Sequence, residues 1–422
     1  MKTLKEKIWQ EEERKSPISK IEFNFFESFF YYLVKSINFV IRPLGIIRFG
    51  IIHSDKIGKF LGNTEYYLRK KKIDNIYKKT NKNLDILISG SPTNQQILNM
   101  FKKKAGIIQQ DTFYKFLKQM KYKKPEDKIW IDLQMTGFMR GYEWTEPGPQ
   151  VSFTKSETEK GKKILQEIGM PDGAEYICFF AKDKFYSDNP KTKPDPLSYW
   201  GQRDFRNCNI DNFLEATEYL AKKGIYSVRV GIHEPEKKLN TNNKMIIDYT
   251  GVLRSNLSDR DFADAYIAAN CKFFLGCTSG IYLLASIFDV PIVYTNMIPY
   301  GECGRKNTDM FIVKKCRDKK TKKILPIKKM MDLGMTGNWF TEKQILEFEK
   351  KNIEIEENSS EEIKDLVKEM NSRIDKNWVN NNGEEYLQKR YKQITNIKCF
   401  DNTPFPGKVG YKFLKKSKEL LD

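Results

Sequence analysis

The chain alternates between short apolar runs and longer stretches in which apolar residues recur every three or four positions. The clearest case is residues 271–299, which read CKFFLGCTSGIYLLASIFDVPIVYTNMIP. The apolar run 272–275 predicts a strand, the small residues 276–280 a loop, the pattern 281–288 a helix, and 292–294 a second strand. A strand, helix and strand in this order are typical of a parallel α/β sheet.

The same alternation recurs in both halves of the chain. Strands are predicted at 44–52, 84–89, 130–134, 175–181, 226–230 and 245–248, with helices at 63–69, 95–104, 157–169, 212–223 and from 258 onwards. The pattern predicts two doubly wound, Rossmann-like α/β domains, each with its ligand crevice at the carboxyl ends of the strands.

A length of 422 residues favours two domains of ordinary size. Residues 141–150, rich in Gly and Pro, mark the expected crossing between them. We therefore divide the chain into an N-terminal basic and aromatic segment, a first domain, a second domain and a helical C-terminal tail. Their bounds are 1–43, 44–150, 151–340 and 341–422.

The net charge is +19, and it is concentrated in the first third of the chain. Residues 1–130 contain 27 Lys and Arg against 13 Asp and Glu, a net charge of +14. This part of the molecule is expected to meet an anionic partner, and the charge alone leaves a nucleic-acid-binding protein open as an alternative. No RNA-binding or zinc motif accompanies the charge.

The number and spacing of the cysteines and histidines argue against disulfides and against a zinc site. The seven cysteines are scattered without a C-x-x-C motif, and there are only two histidines, His53 and His233. Free thiols in a reducing cytosol explain this better than disulfides or a zinc site. The charged first 20 residues lack the apolar core of a secretory signal, so we expect a cytoplasmic protein.

Residues 21–41, IEFNFFESFFYYLVKSINFVI, are unusually aromatic but are interrupted by Glu22, Glu27 and Lys35. At helical spacing the apolar residues gather on one side, and basic residues flank the segment. One interpretation is a helix lying on an anionic membrane, peripheral to the cytoplasmic face. The other is a helix packed against the first domain, and a membrane-spanning helix is the least favoured.

Polar residues follow several predicted strands of the second half. Lys182 and Asp183 follow one strand, Arg229 and Gly231 the next, and Asp248 the third. Thr295 and Asn296 end the last strand, and the loop before 212 carries Arg203, Arg206 and Asn207. Strand-end residues of one parallel sheet share one crevice, where cations could pair with a diphosphate. The loop 276–280 is either an anion-binding turn at a helix start or a plain connection.

A general base must come from Asp, Glu or His. The candidates are His53 and Glu65 in the first domain and Asp183 in the second, although His53 could equally be a hydrogen-bonded histidine at a strand end. No Asp-x-Asp pair stands at a strand end in a plausible metal context, so we expect no metal and no cofactor.

Taken together, these motifs resemble a family of bacterial glycosyltransferases of cell-surface polysaccharide synthesis. The matching elements are 153–154, 206–207 with the helix to Gly224, 228–231, 258–262, 271–280, 290–291, Asn296, Pro299 and 357–363. The resemblance implies a GT-B architecture, in which two Rossmann-like domains face a cleft, and it is distantly similar to fucosyltransferases. Two positions depart from the family: Lys59 stands where relatives tend to carry His, and Lys182 where Arg is more usual.

The family implies a nucleoside-diphosphate sugar held by the second domain and a glycan or lipid-linked acceptor approached by the first. The predicted donor-binding residues are Lys182, Arg206, Asn207, Arg229, Gly231, Asp248, Ser258, Gly276, Cys277, Thr278, Ser279, Gly280 and Asn296. His53, Glu65 and Asp183 are the predicted catalytic residues. The alternative of a nucleic-acid-binding protein without catalytic activity rests on the net charge.

Overall fold

The computed structural model describes residues 22–77, 83–133, 146–183, 205–231, 238–300, 304, 306–335, 342–380, 382–398 and 404–422. The chain divides into two compact units, residues 1–134 and 135–422. Among the predicted features, Arg203 and residues 141–145 lie outside the described residues.

Unit 1 is built on a four-stranded parallel sheet in the order β3-β2-β1-β4. Its strands are β1 (Ile47–Ile52), β2 (Leu84–Ser89), β3 (Ile107–Gln109) and β4 (Trp130–Ile131), and its helices are α1 (Phe25–Ile41), α2 (Ile57–Tyr77), α3 (Gln95–Lys102) and α4 (Asp111–Lys123). Strand β1 pairs with β2 on one side and β4 on the other, so the strand order reverses beside it.

The aromatic segment at the N-terminus forms part of unit 1. Helix α1 begins at an Asn24 cap, whose side chain and that of Glu27 exchange hydrogen bonds with the backbone. Tyr31 and Val34 join the buried cluster that contains Phe49 and Trp130. One side of the helix is thus packed against the first domain, while its other side is exposed.

Unit 2 is built on a seven-stranded parallel sheet in the order β13-β10-β9-β8-β5-β6-β7. Its strands are β5 (Tyr176–Phe180), β6 (Tyr226–Arg229), β7 (Ile246–Asp248), β8 (Phe274–Gly276), β9 (Ile292–Met297), β10 (Met310–Val313) and β13 (Lys408–Val409); β11 (Lys315–Asp318) and β12 (Ile353–Glu356) form a separate antiparallel pair. Every residue of β5 and β9 is buried, as expected for a parallel sheet covered on both faces.

The helices of unit 2 follow the predicted alternation, with shifts at their ends. They are α5 (Lys155–Glu167), α6 (Leu214–Ala221), α7 (Val252–Asn256), α8 (Arg260–Ala269), α9 (Leu283–Ser286), α10 (Ile327–Asp332), α11 (Glu342–Lys350), α12 (Ser360–Ile374), α13 (Asn382–Thr395) and α14 (Tyr411–Lys416). Each unit, taken by itself, confirms the predicted α/β class with a parallel, Rossmann-like sheet.

The C-terminal tail contributes to the sheet of unit 2. Helix α12 packs against α6, β9 and β10, and β13 pairs with β10 in parallel. The predicted start of α12 is confirmed, because Ser359 caps the helix and Glu362 completes the capping box. The sequence pattern did not anticipate the strand at residues 408–409.

Candidate functional site

The strand order of unit 2 reverses between β5 and β8. From β5 the chain moves outward to β6 and β7, then returns to place β8 on the other side of β5 and continues to β9 and β10. Ligands of doubly wound folds bind outside the carboxyl ends of the strands at this reversal. Lys182 and Cys277 lie just past these two strand ends, and the Lys182 backbone N–H donates to Cys277 Sγ at 3.1 Å.

Two buried lysines converge on one asparagine at this edge of the sheet. Lys182 Nζ donates to Asn207 Oδ1 at 3.3 Å, and Lys314 Nζ donates to the Asn207 backbone carbonyl at 2.6 Å. Both lysine side chains are buried. Lys182 follows β5 and Lys314 follows β10, so the ends of two strands bring positive charge to the carboxyl edge of the sheet.

The surroundings of Lys182 destabilise its charged form. Burial and the positive charge of Arg206 lower the pKa of Lys182 from 10.5 to about 8. An ammonium group in this position gains free energy when an anion binds beside it. The site is therefore suited to an anionic ligand.

Cys208 and Cys277 form a hydrogen-bonded pair of free thiols beside the Lys182 peptide. The Cys208 backbone N–H donates to the Lys182 carbonyl at 2.9 Å. Burial raises the pKa of Cys277, but the Cys208 thiol, the Lys182 amide and the charges of Lys314 and Lys182 outweigh it and lower that pKa overall. The hydrogen bond to Cys277 and burial raise the pKa of Cys208. The pair thus favours negative charge on Cys277.

Only part of the loop 276–280 is accessible. Gly276, Cys277 and Thr278 are buried, whereas Ser279 and Gly280 are half-buried. Thr278 Oγ1 lies 3.4 Å from Met297 Sδ, so this hydroxyl packs inward. The helix predicted at 281–288 is reduced to the four residues of α9 between turns. A helix this short supplies little dipole, and backbone and hydroxyl groups of Ser279 and Gly280 are what the loop offers a ligand.

Two predicted donor-binding residues are engaged with each other instead. Arg229 Nη1 forms an ion pair with Asp248 Oδ2 at 3.0 Å, and the Arg229 side chain is 3% exposed. Asp248 also accepts a hydrogen bond from the Thr250 hydroxyl. The guanidinium charge is thus balanced inside the protein with little exposed surface, and the donor-binding role of Arg229 and Asp248 stays a prediction.

Asn296 is likewise a structural residue. It is fully buried in β9 with a positive φ of 53°, and its backbone N–H and side-chain Oδ1 exchange hydrogen bonds of 2.6 and 2.8 Å with Asn358. Asn358 Nδ2 donates in turn to the Val313 carbonyl at 2.9 Å. This pair ties β9 to the start of α12, and the donor-binding role of Asn296 stays a prediction.

The remaining predicted donor residues lie at the same sheet edge with mixed accessibility. Gly231 adopts a φ of +99°, and a Cβ there would come within 2.6 Å of the Phe180 ring, which explains the glycine. Arg206 and Asn207 are half-buried. Ser258 is exposed and precedes α8, but Asp259 is the residue that caps this helix, by accepting from the Phe262 N–H. The helix predicted from 258 onwards therefore begins at Arg260, with Asp259 as its cap.

The three predicted catalytic residues differ in environment. His53 follows β1 at the strand reversal of unit 1 and is half-buried. Burial, followed by the charges of Lys59 and Lys118, lowers its pKa to about 4, so the imidazole is neutral near pH 7. Asp183, next to Lys182, is half-buried at the edge of unit 2.

Glu65 is enclosed within α2. Its carboxylate forms an ion pair with Arg69 at 2.7 Å, and both side chains are 0% exposed. A general base must reach its substrate, so this enclosure does not favour Glu65 in that role, which stays a prediction.

Sequence reasoning missed two residues that lie beside Lys182 and Asn207, namely Lys314 and Cys208. Lys314 follows the apolar run 310–313, so the strand-end rule that found Lys182 would have found it had that strand been recognised. Cys208 has no such signal, because its proximity to Cys277 depends on the path of the loop before α6. Among the described residues, no group of three His, Cys, Asp or Glu is arranged to hold a metal ion.

Comparisons with known proteins give limited similarity. No family model matches the chain, and no curated protein matches it significantly in sequence. Among solved structures, a glycosyl transferase family 9 protein from Veillonella parvula DSM 2008 matches at 12% identity and a TM-score of 0.35, covering 60% of this chain and 80% of its own. The E. coli ADP-heptose lps heptosyltransferase II matches at 11% identity and a TM-score of 0.37, with coverages of 59% and 84%.

Proposed function

We propose that this protein is a glycosyltransferase of GT-B type that binds a nucleoside-diphosphate sugar at the strand reversal of unit 2. The observation that carries the proposal is the convergence of buried Lys182 and Lys314 on Asn207, together with the half-buried Ser279 and Gly280 in the loop that follows β8. This arrangement supports an anionic ligand of diphosphate size. The inference that the transferred group is a sugar is based on the sequence motifs that resemble polysaccharide glycosyltransferases.

Transfer of a sugar leaves negative charge on the departing diphosphate. Fixed cations in a site that excludes water stabilise such charge more than they would in bulk solvent. In the proposed mechanism, Lys182, Lys314 and Arg206 supply this positive charge, while Ser279 and Gly280 contact the phosphate oxygens. A metal ion is not required, and we propose a metal-independent reaction.

The acceptor hydroxyl must lose a proton as the new bond forms. His53 and Asp183 remain the candidates for the base, since Glu65 is enclosed. A neutral His53 at pH 7 is in the protonation state that a base needs. The proposed acceptor is a surface glycan or a lipid-linked sugar, reached from the cytoplasmic face.

Calorimetry with UDP-, GDP-, CMP- and dTDP-sugars tests the donor site. The variant Lys182→Gln should bind the preferred donor at least about ten-fold more weakly, because it loses one charge-assisted contact. Lys272→Gln is the matched control. Lys272 precedes β8 at the opposite edge of the same sheet and pairs with Glu175 and Asp375, so its loss should leave donor affinity unchanged.

Equal affinity in the Lys182→Gln variant and the wild type would remove the donor-site assignment. The proposal that transfer is independent of metal ions is tested separately, by adding EDTA to a transfer assay with the donor identified by calorimetry. Full activity is expected after chelation, and loss of transfer that Mg²⁺ restores would refute metal independence.

A further inference from the structure

Helix α1 exposes a large apolar surface. Six side chains, here called the aromatic face, are 46–81% exposed: Phe25, Phe26, Phe29, Leu33, Phe39 and Val40. At 100° per residue they fall within an arc of about 140°, and no charged residue lies within it. A surface helix normally turns polar residues outward, so a helix with this pattern is expected to have a partner on its outer side.

The opposite side of the helix is fastened to unit 1 by polar bonds as well as by packing. Lys123 Nζ pairs with Glu27 at 2.7 Å, and both groups are nearly buried. Asn38 exchanges hydrogen bonds of 2.7 and 2.9 Å with the backbone of Ile47, at the start of β1. Breaking these bonds to rotate the helix would leave buried polar groups unsatisfied. The aromatic face is therefore held outward.

The surroundings of the aromatic face are basic. Helix α4 lies beside α1, since the Phe30 ring meets those of Phe113 and Phe116 at 6.0 and 5.7 Å. Exposed Lys115 and Lys118 lie on α4. These lysines are part of the net charge of +14 that residues 1–130 carry.

Two partners could cover the aromatic face, a second copy of this chain or an anionic membrane, and the charge of the region favours the membrane. A second copy docking through the same face would bring two strongly basic regions together, which costs free energy. An anionic bilayer presents negative headgroups to the lysines and an apolar interior to the rings. We propose that the aromatic face of α1 inserts into the surface of an anionic membrane.

The length of the helix agrees with a position in the plane of the membrane. Its 17 residues extend about 26 Å, less than the hydrocarbon core of about 30 Å. Among the described residues, no helix is long and apolar enough to cross a bilayer. One face buried in protein and the other in the headgroup region is the geometry of an interfacial helix. This proposal does not depend on the proposed function.

Co-flotation of the full-length protein with vesicles tests the proposal. One set of vesicles is pure phosphatidylcholine, and the other is an equimolar mixture of phosphatidylcholine and phosphatidylglycerol. We expect binding to the mixed vesicles, and a double variant Phe26→Gln with Phe29→Gln should bind them at least about ten-fold more weakly. The fold should survive, because both rings are 64% exposed or more.

The matched control is the double variant Val379→Gln with Tyr386→Gln. These side chains are 82% and 67% exposed on unit 2, so the control removes a comparable apolar area elsewhere and should float like the wild type. Failure of the wild type to bind either vesicle, or equal binding to both vesicle types, would overturn the proposal. So would self-association in sedimentation that the α1 variant abolishes while vesicle binding is unchanged.

Discussion

At the residue scale, the site of unit 2 is defined by the cost of burying positive charge. Lys182 is buried, its Nζ donates to the neutral amide oxygen of Asn207, and burial and the charge of Arg206 lower its pKa to about 8. Arg229, by contrast, is buried against a carboxylate of opposite charge. The two cations therefore lie in different surroundings: Arg229 forms an ion pair with Asp248, whereas the charged form of Lys182 is destabilised.

The lowered pKa of Lys182 predicts how donor binding depends on pH. Anion binding prefers the ammonium form, which is present below a pKa of about 8 and lost as pH rises above it. Donor affinity should therefore be nearly constant from pH 6 to 7.5 and fall by up to about ten-fold per pH unit above 8. Calorimetry at successive pH values measures this. The Lys182→Gln variant should bind weakly and lose this pH dependence, and a parallel decline in both proteins would contradict it.

The environment of His53 predicts a dependence of stability on pH. Its folded-state pKa of about 4 lies below the unfolded value of 6.5, so between these values the unfolded chain binds more protons. The stabilisation is fully present above pH 6.5 and is lost as pH falls towards 4, a difference of roughly 1–3 kcal/mol. Urea unfolding at pH 7 and pH 5 should show a smaller change in His53→Gln than in the wild type. An identical change in both would contradict the prediction.

At the scale of secondary structure elements, small residues and caps determine how the helices of unit 2 meet. Gly161 lies on α5 where that helix packs against α8, and a Cβ there would come within 2.3 Å of the Tyr266 ring. Tyr266 is buried and packs against Phe153 and Phe262 at centroid distances of 5.2 and 5.9 Å. The ring therefore has little room to move aside.

This contact predicts whether a Gly161→Ala substitution raises or lowers the free energy of unfolding. Alanine favours a helix over glycine by about 1 kcal/mol, but overpacking of a tight interface costs about 1–3 kcal/mol. The steric term should prevail and lower the free energy of unfolding by roughly 1–2 kcal/mol. Chemical denaturation measures this, with Gly251→Ala as the control, because a Cβ at Gly251 has no atom within 4 Å. Stabilisation by Gly161→Ala would show that the two helices can separate.

At the scale of the whole molecule, charge and apolar surface are concentrated in unit 1, whereas the candidate donor site belongs to unit 2. Residues 1–130 carry a net charge of +14 and include the exposed aromatic face, and the remaining residues carry +5. Salt should therefore affect binding to the basic surface of unit 1 differently from donor binding in unit 2. Exposed charges are screened within about 10 Å at moderate ionic strength, whereas buried groups are screened much less.

The net charge predicts weak, salt-sensitive association with nucleic acid. Binding of RNA through exposed lysines should fall steeply as salt increases, because it depends on the release of counterions. Donor binding at buried Lys182 should decline much less over the same range. Titrations of both ligands across salt concentrations provide the comparison. Tight RNA binding that resists salt, together with no nucleotide-sugar binding, would support the nucleic-acid alternative instead.

Much of the fold could be predicted from local pattern. The strand at residues 84–89 was located to the residue, and the cap at Ser359 was identified from its Ser and Glu spacing, because both signals lie within a few neighbouring residues. The pattern is less informative where burial decides a role. Glu65, Arg229 and Asn296 have the residue types of a catalytic or binding site, yet each is buried against a partner: Arg69 one turn along α2, Asp248 on the next strand, and Asn358 before α12.

The sequence by itself determined the elements: apolar periodicity specifies strands and helices, and parallel strands oblige their carboxyl ends to share one edge. It also determined the aromatic and basic character of the N-terminal third. Only the tertiary structure decided which polar side chains at that edge are buried and which side of α1 stays exposed. Accessibility depends on which residues from distant parts of the chain fill the space around each group, as Lys314 and Cys208 do around Lys182, and no local pattern records that.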